Sequence, residues 1–314
     1  MTADRAPDFF IVGHPKCGTT ALYEMLRSHS EIFMPALKEP EFFASEMRVD
    51  RPEQLPDTLE DYLALFDAAR PDQLLGEAST SYLRSHTAAE SIAAVAPEAR
   101  IIAILREPAS LLRSAHLQYV QAVIETEYDL RNAIALEQDR RQGRNLPRHG
   151  FWPLSLQYSD HVRYVEQLRR YHTIFGRENV LVLIYDDFRA DNDGTVRKVL
   201  RFLGVDDSSA LDRAEVNPTV GVRSQALHEL VHTVTVGRGP LSRGVKEAVK
   251  AVVPRGPRRR LLTALRRGVV YGAPPAVDEE LMSELRQRFK GEVVALGEYL
   301  DRDFVSLWGY DDVE

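Results

Sequence analysis

The sequence predicts an α/β protein with a central parallel β-sheet flanked by helices. Four short segments are almost continuously apolar, as expected of strands that are covered on both faces: Phe9–Val12, Leu74–Gly76, Ile101–Leu105 and Val180–Ile184. Between these segments, apolar residues recur at helical spacing. Strands that alternate with helices along a chain are typical of a doubly wound sheet. We therefore expect one domain over residues 1–314.

Local signals indicate where the helices begin and end. Serine, threonine and aspartate favour the position before a helix, proline favours its first turn, and glycine often follows its last residue. On these signals we expect helices from Thr19 or Thr20 to about His29, from Pro108 through Tyr119, from Ser159 or Asp160 through Tyr171, over Val196–Leu203, and over Asp278–Tyr299.

The composition is that of a globular protein, with 44% apolar and 28% charged residues. The N-terminal residues include no apolar run that could act as a secretory signal, and the longest apolar runs are too short to span a bilayer. A single cysteine, Cys17, cannot form an intrachain disulfide. We therefore expect a cytoplasmic protein without a transmembrane segment.

The net charge of −7 is unevenly distributed. Residues 238–267 contain ten lysines and arginines and a single glutamate, within a stretch, 221–275, that we expect to be a variable excursion. Such a segment is compatible with a solvated helix face, a lid over the site, or docking of an acidic carrier protein or an anionic membrane surface. A nucleic-acid binder would carry positive charge over much more of the domain.

The stretch Gly13–Thr20 follows the first predicted strand and begins the first predicted helix. Glycine loops in this position cradle anionic groups on backbone N–H groups at a helix N-terminus. Gly13 and Gly18 keep the spacing of the P-loop, but Thr19 stands where that motif has its lysine, and the lysine here is Lys16. The loop is therefore P-loop-like, yet it fits an ATPase, GTPase or nucleotide kinase poorly.

A second anion-binding element follows the strand Ile101–Leu105. Arg106 stands at the expected carboxyl edge of the sheet, and Ser114 lies within the next helix. Arginine binds phosphate oxygens with a forked pair of donors. A Walker-type nucleotidase would need a carboxylate for Mg²⁺ at such a strand end, and none is there, so we expect no metal.

The motifs together resemble those of the sulfotransferases that use 3′-phosphoadenosine 5′-phosphosulfate (PAPS), in particular bacterial and heparan sulfate enzymes. Residues 15–20 resemble the 5′-phosphosulfate loop, residues 105–114 the 3′-phosphate motif, and residues 38–43 (KEPEFF) a Lys-Glu-Pro-x-Phe-Phe segment. The resemblance implies the sulfotransferase fold and the transfer of a sulfuryl group to a hydroxyl of a glycan or small natural product, leaving 3′,5′-diphosphoadenosine (PAP). The donor-binding residues it implies are His14, Pro15, Lys16, Cys17, Gly18, Thr19, Thr20, Arg106 and Ser114, with Arg223 proposed for a 3′-phosphate contact.

The catalytic residues that the resemblance implies are Lys16, Glu39 and Lys38, with Glu39 as the general base that deprotonates the acceptor. Glu77 and His14 remain alternative bases, since each is expected near the same edge of the sheet. Two other functions stay open at this point. A nucleotide kinase or NTPase would require Mg²⁺ with ATP or GTP, and a non-catalytic module would bind PAP without transferring sulfate.

Overall fold

The computed structural model describes residues 5–47, 55–147, 153–208, 221–222, 271–272 and 274–313. Arg223, the basic segment 238–267 and most of the predicted excursion 221–275 lie outside the described residues.

Five parallel strands form the central sheet, in the order β2-β3-β1-β4-β5. The strands are β1 (Phe9–Gly13), β2 (Ile32–Phe33), β3 (Leu74–Ala78), β4 (Arg100–Leu105) and β5 (Val180–Ile184). The predicted parallel sheet with flanking helices is confirmed. Of the five strands of this sheet, β2 alone was not predicted, because a strand of two residues is too short to form a recognisable pattern of apolar residues.

Helices flank this sheet, and their apolar residues pack with those of the strands in one buried core. In the described part of the chain they are α1 (Thr19–Arg27), α2 (Leu59–Leu63), α3 (Ala88–Val95), α4 (Pro108–Gln121), α5 (Leu130–Ala135), α6 (Glu137–Arg141), α7 (Tyr158–His161), α8 (Tyr164–Phe175), α9 (Tyr185–Ala190), α10 (Asn192–Leu203), α11 (Glu279–Leu300) and α12 (Phe304–Trp308). A small antiparallel pair joins β6 (Gly221–Val222) to β7 (Tyr271–Gly272). Among the helices described, none has the length and apolar character needed to cross a membrane.

The central strands are buried as their sequence predicts. Every residue of β1 is buried, and Ile101 to Leu105 of β4 have no exposed surface. Burial of apolar side chains on both faces stabilises the fold by about 25 cal/mol for each Å² of apolar surface that is removed from water. Because β1 and β4 are adjacent and parallel, the residues that follow them emerge at the same edge of the sheet.

The helix predicted to begin at Ser159 or Asp160 is instead two helices, so that prediction is wrong. α7 ends at His161, and α8 begins at Tyr164. The Tyr164 N–H bonds to the carbonyl of Val162 rather than to that of Asp160, which accepts a hydrogen bond from the side chain of Gln167 at 2.7 Å. The backbone therefore turns between the two helices.

A buried ion pair joins the segment after α4 to α6. The two terminal guanidinium nitrogens of Arg140, Nη1 and Nη2, each bond to the carboxylate of Glu125 at 2.7 Å, and the two side chains are at most 1% exposed. The Tyr158 hydroxyl donates to the same carboxylate at 3.0 Å.

Replacing Arg140 with Met should lower the free energy of unfolding by about 3–5 kcal/mol, because it leaves the Glu125 carboxylate buried without its counter-charge. Urea denaturation measures this loss. Arg141→Met is the matched control, since the neighbouring Arg141–Asp160 pair is half exposed and should contribute under about 1 kcal/mol. Equal losses in the two variants would contradict the assignment.

Candidate active site

The carboxyl ends of β1, β3 and β4 carry the residues that the sequence analysis singled out. The chain after β3 crosses the end of β1, since Ser79 N–H bonds to Ile11 O at 3.1 Å and Leu83 N–H bonds to Val12 O at 2.7 Å. The Glu39 N–H bonds to the carbonyl of Ala78 at 3.0 Å. The glycine loop and the segment around Glu39 therefore meet at one edge of the sheet.

The glycine loop turns sharply into α1. Gly18 has the left-handed conformation, with φ of 84°, and a Cβ there would lie 3.0 Å from the ring of Phe188. Only glycine fits both constraints. Within the described ranges, no side chain caps the N-terminus of α1, so its first N–H groups and the positive end of the helix dipole could bind an anion.

Lys16 and Arg106 are in direct contact. The Arg106 guanidinium donates to the Lys16 carbonyl at 2.9 Å and lies over the ring of Tyr185, 4.7 Å from its centre. Burial lowers the pKa of Lys16, and the nearby charge of Arg106 lowers it further. The structure therefore brings the two predicted anion-binding elements together as a pair of close positive charges.

Ser114 is buried on α4, and its hydroxyl has no hydrogen-bond partner in the part of the chain that is described. A buried polar group without a partner costs about 1–3 kcal/mol, so a ligand oxygen would be a favourable partner. The same helix is held at its start by Glu107, whose carboxylate accepts from the N–H groups of Ala109 and Ser110 and from the Tyr310 hydroxyl.

Two loop side chains point into the protein rather than outward. The Nε2 atom of His14 donates to Gln167 Oε1 at 2.7 Å, and burial lowers the His14 pKa to about 3. Burial raises the pKa of the Cys17 thiol to about 12. At neutral pH the His14 imidazole is therefore uncharged and Cys17 is a thiol. Both side chains are buried under the loop and support its conformation. Of the loop's other residues, Pro15 is half-buried, Thr19 is buried and Thr20 is exposed.

Glu39 and Lys38 form an ion pair at the edge of the sheet. Lys38 Nζ lies 2.5 Å from Glu39 Oε1, and the Glu39 side chain is 40% exposed, against 18% for Lys38. Burial is the main cause of the raised pKa of Tyr119 on α4. Arg84 acts to lower that pKa, and the carboxylates of Glu41 and Glu39 act to raise it. The carboxylate of Glu39 is therefore the partly exposed member of an ion pair with a more buried lysine.

Glu77 lies near the end of β3 and is fully buried. Its Oε2 atom accepts hydrogen bonds from the hydroxyls of Tyr82, at 2.7 Å, and Tyr62, at 3.2 Å. Burial raises the pKa of Glu77 to about 7, although Ser79, the two tyrosines and Lys38 act in the opposite direction.

Because the pKa of Glu77 is higher in the folded than in the unfolded protein, the folded protein holds an extra proton between about pH 4.5 and pH 7. Stability should therefore fall as pH rises through this window, by at most about 1.4 kcal/mol per pH unit, and level off above it. Glu77→Gln cannot titrate, so urea midpoints of the two proteins should diverge across the window. Parallel curves would contradict this assignment.

Several neighbours of the site were not predicted from the sequence. They are Tyr62, Tyr82, Arg84, Tyr164, Gln167, Tyr185 and Tyr310. Tyr164 donates to the Arg106 carbonyl at 2.7 Å, and Tyr185 packs against the Arg106 guanidinium. Tyr185 directly follows β5, so its place at the edge of the sheet could have been inferred. Tyr82 and Arg84 lie within six residues of the end of β3, and the remaining residues lie on helices or near the C-terminal end of the described chain, where no local signal marks them.

The fold is that of a P-loop-like α/β protein, with a glycine loop and two positive side chains at the carboxyl edge of its sheet. The sulfotransferase domain family matches residues 6–221, more than half of the chain, and the protein belongs to that family. The expected family is therefore confirmed.

Characterised relatives are similar over parts of their length. Mouse carbohydrate sulfotransferase 15 is 28% identical over 250 residues, covering 63% of this chain and 44% of that protein. Mouse bifunctional heparan sulfate N-deacetylase/N-sulfotransferase 4 is 33% identical over 109 residues, covering 34% of this chain and 12% of that protein. The chain thus spans less than half the length of these relatives. The crystal structure of a sulfotransferase from Alicyclobacillus acidocaldarius is similar with a TM-score of 0.59 and 29% identity, covering 77% of this chain and 96% of that one.

Proposed function

We propose that this protein transfers the sulfuryl group of PAPS to a hydroxyl of a carbohydrate acceptor. The observation that carries the proposal is the contact between the Arg106 guanidinium and the Lys16 carbonyl, which joins the two anion-binding elements at the edge of the sheet. Family membership supports sulfate transfer, and the carbohydrate sulfotransferase among the relatives supports a glycan acceptor.

The residues at this edge suit a ligand with two separate anionic groups. In the proposal, Lys16 and the open N-terminus of α1 hold the 5′-phosphosulfate, while Arg106 and the unpartnered Ser114 hydroxyl hold the 3′-phosphate. The donor supplies the sulfuryl group and a phosphate leaving group. Lys16 stabilises the negative charge that grows on the bridging oxygen, and Lys38 neutralises charge on the sulfuryl oxygens.

Glu39 is the general base in this proposal because, of the three alternatives, its carboxylate alone is substantially exposed. His14 is buried and its Nε2 proton is donated to Gln167, and the carboxyl of Glu77 is enclosed by tyrosine hydroxyls. Glu39 takes the proton of the acceptor hydroxyl as the new O–S bond forms. The bond from sulfur to the bridging oxygen breaks, which leaves a sulfate ester and PAP.

A binding and turnover experiment tests this function. PAP should raise the melting temperature of the protein, and ³⁵S-labelled PAPS should transfer label to a polysaccharide in a panel of unsulfated chondroitin and heparosan. No melting shift with PAP would remove the donor assignment. Binding of PAP without transfer to either polysaccharide would remove the proposed glycan acceptor.

A further inference from the structure

We propose that Glu77, through Tyr62 and Tyr82, is a positioning residue that fixes the backbone carrying Glu39. The inference rests on the proposed role of Glu39 as the base. Glu77 itself has no exposed surface, so it acts through its neighbours rather than on the acceptor.

Glu77 is the common acceptor for two tyrosines that come from different parts of the chain. Tyr82 follows β3, while Tyr62 belongs to α2, and both hydroxyls donate to the same carboxylate oxygen. Burial, followed by the charge of Glu77, raises the pKa of each tyrosine, so both hydroxyls keep the proton they donate. A carboxyl at this place therefore fixes α2 and the chain after β3 against each other.

The segment from Glu39 to Phe43 is attached to this framework through its backbone. Besides the bond from Glu39 N–H to Ala78 O, the Glu41 N–H donates to Ser79 Oγ at 3.0 Å, and the Phe43 N–H donates to the Tyr82 hydroxyl at 3.4 Å. Tyr82 thus contacts Glu77 on one side and the backbone of the segment on the other.

The segment requires such support because its conformation is unfavourable. Glu39 and Glu41 both have positive φ, 59° and 52°, in the left-handed region that side chains other than glycine rarely adopt. Residues in such conformations cost about 1–3 kcal/mol each and persist only where the surroundings hold them. Glu39, the proposed base, and Glu41 both have such a conformation, which indicates that contacts with the surrounding residues hold the backbone of this segment.

Aromatic packing connects Tyr62 to the same segment. Its ring stacks on Phe42 at 4.9 Å between centres with an angle of 16°, and it meets the edge of Phe43 at 5.0 Å. The Tyr62 hydroxyl bond to Glu77 sets the position of this ring. The titratable groups that interact with Glu77 in the described part of the chain are the two tyrosines, Tyr171 and Lys38, and the neutral Ser79 hydroxyl is a further hydrogen-bond partner. Lys38, which pairs with Glu39, also acts to lower the pKa of Glu77, so both carboxyls interact with the same lysine.

Replacing Glu77 with Leu should lower kcat about tenfold to a hundredfold, because small displacements of a reacting group have effects of this size. The assay uses ³⁵S-PAPS with the polysaccharide, chondroitin or heparosan, that accepts label. Affinity for PAP, measured by calorimetry, should stay within about twofold, since the hydrogen bonds described for the Glu77 carboxylate go to Tyr62 and Tyr82 and not to the glycine loop or Arg106. Glu77→Gln keeps an oxygen for the two hydroxyls and should restore kcat to within about threefold of the parent.

Tyr62→Phe and Tyr82→Phe are milder changes that keep the experiment decisive if Glu77→Leu does not fold. Each removes one hydrogen bond and should lower kcat about fivefold, with PAP affinity unchanged. Tyr158→Phe is the matched control, because it removes an equally buried hydroxyl from another buried carboxylate, Glu125. It should reduce stability without lowering kcat.

A double variant separates this inference from the function on which it rests. If Glu77 acts through Glu39, Glu77→Leu should lower kcat by less than about twofold in a protein that already carries Glu39→Gln. Additive effects, an unchanged kcat in Glu77→Leu, or tyrosine variants that behave like Tyr158→Phe would each overturn the positioning role. Full activity in Glu39→Gln alone would instead overturn Glu39 as the base.

Discussion

Glu39→Gln should lower kcat by about a hundredfold or more, on the scale of lost general base catalysis, while the affinity for PAP should stay unchanged. The amide is close in size to the carboxylate and still offers an oxygen to Lys38, but it cannot take a proton from the acceptor. The measurement is the initial rate with saturating PAPS and polysaccharide, together with the calorimetric affinity for PAP.

The exposed side chain of Glu24 on α1 provides the control for this variant. Glu24 pairs weakly with Arg27 at 3.5 Å, one turn away on the same helix. Glu24→Gln changes the net charge by the same amount and should leave kcat unaltered. A loss of less than about threefold in Glu39→Gln would show that another group accepts the proton.

The fold was largely predictable because its strands are buried on both faces. β1 and β4 could be located without any structural information, since a parallel sheet requires continuous apolar runs there. The edge strand β2 and the break between α7 and α8 could not be located from the sequence. The break depends on the side chain of Gln167 taking the carbonyl of Asp160, and no propensity of the local sequence encodes that contact.

The candidate site was predictable where one short motif carries the chemistry. Arg106 directly follows β4 and Lys16 lies three residues after β1, so the pairing of these two strands brings both residues to one edge. The sequence did not separate Glu39 from Glu77, because each was expected near the same edge. In the structure the two carboxylates differ in their exposure to solvent. Glu77 points into a cluster with Tyr62 and Tyr82 that forms only when α2 packs against β3, whereas Glu39 lies on the exposed side.

Lys16 and Arg106 should differ in which step they affect, although the two residues are in contact. PAP retains both phosphates of the donor but lacks the sulfuryl group. Arg106, assigned to the 3′-phosphate, should therefore contribute equally to the binding of PAP and PAPS. Lys16 should matter most when negative charge develops on the bridging oxygen, which happens only during transfer.

Lys16→Ala should accordingly lower kcat about a hundredfold to a thousandfold, with a much smaller loss of PAP affinity. Arg106→Lys is the comparison. It keeps the charge but loses the forked contact and the packing on Tyr185, so it should weaken PAP binding more than it lowers kcat. If Lys16→Ala weakened PAP binding as much as it lowered kcat, Lys16 would serve only to bind the nucleotide. The charge on the bridging oxygen would then have to be stabilised by Lys38 and the N–H groups of α1.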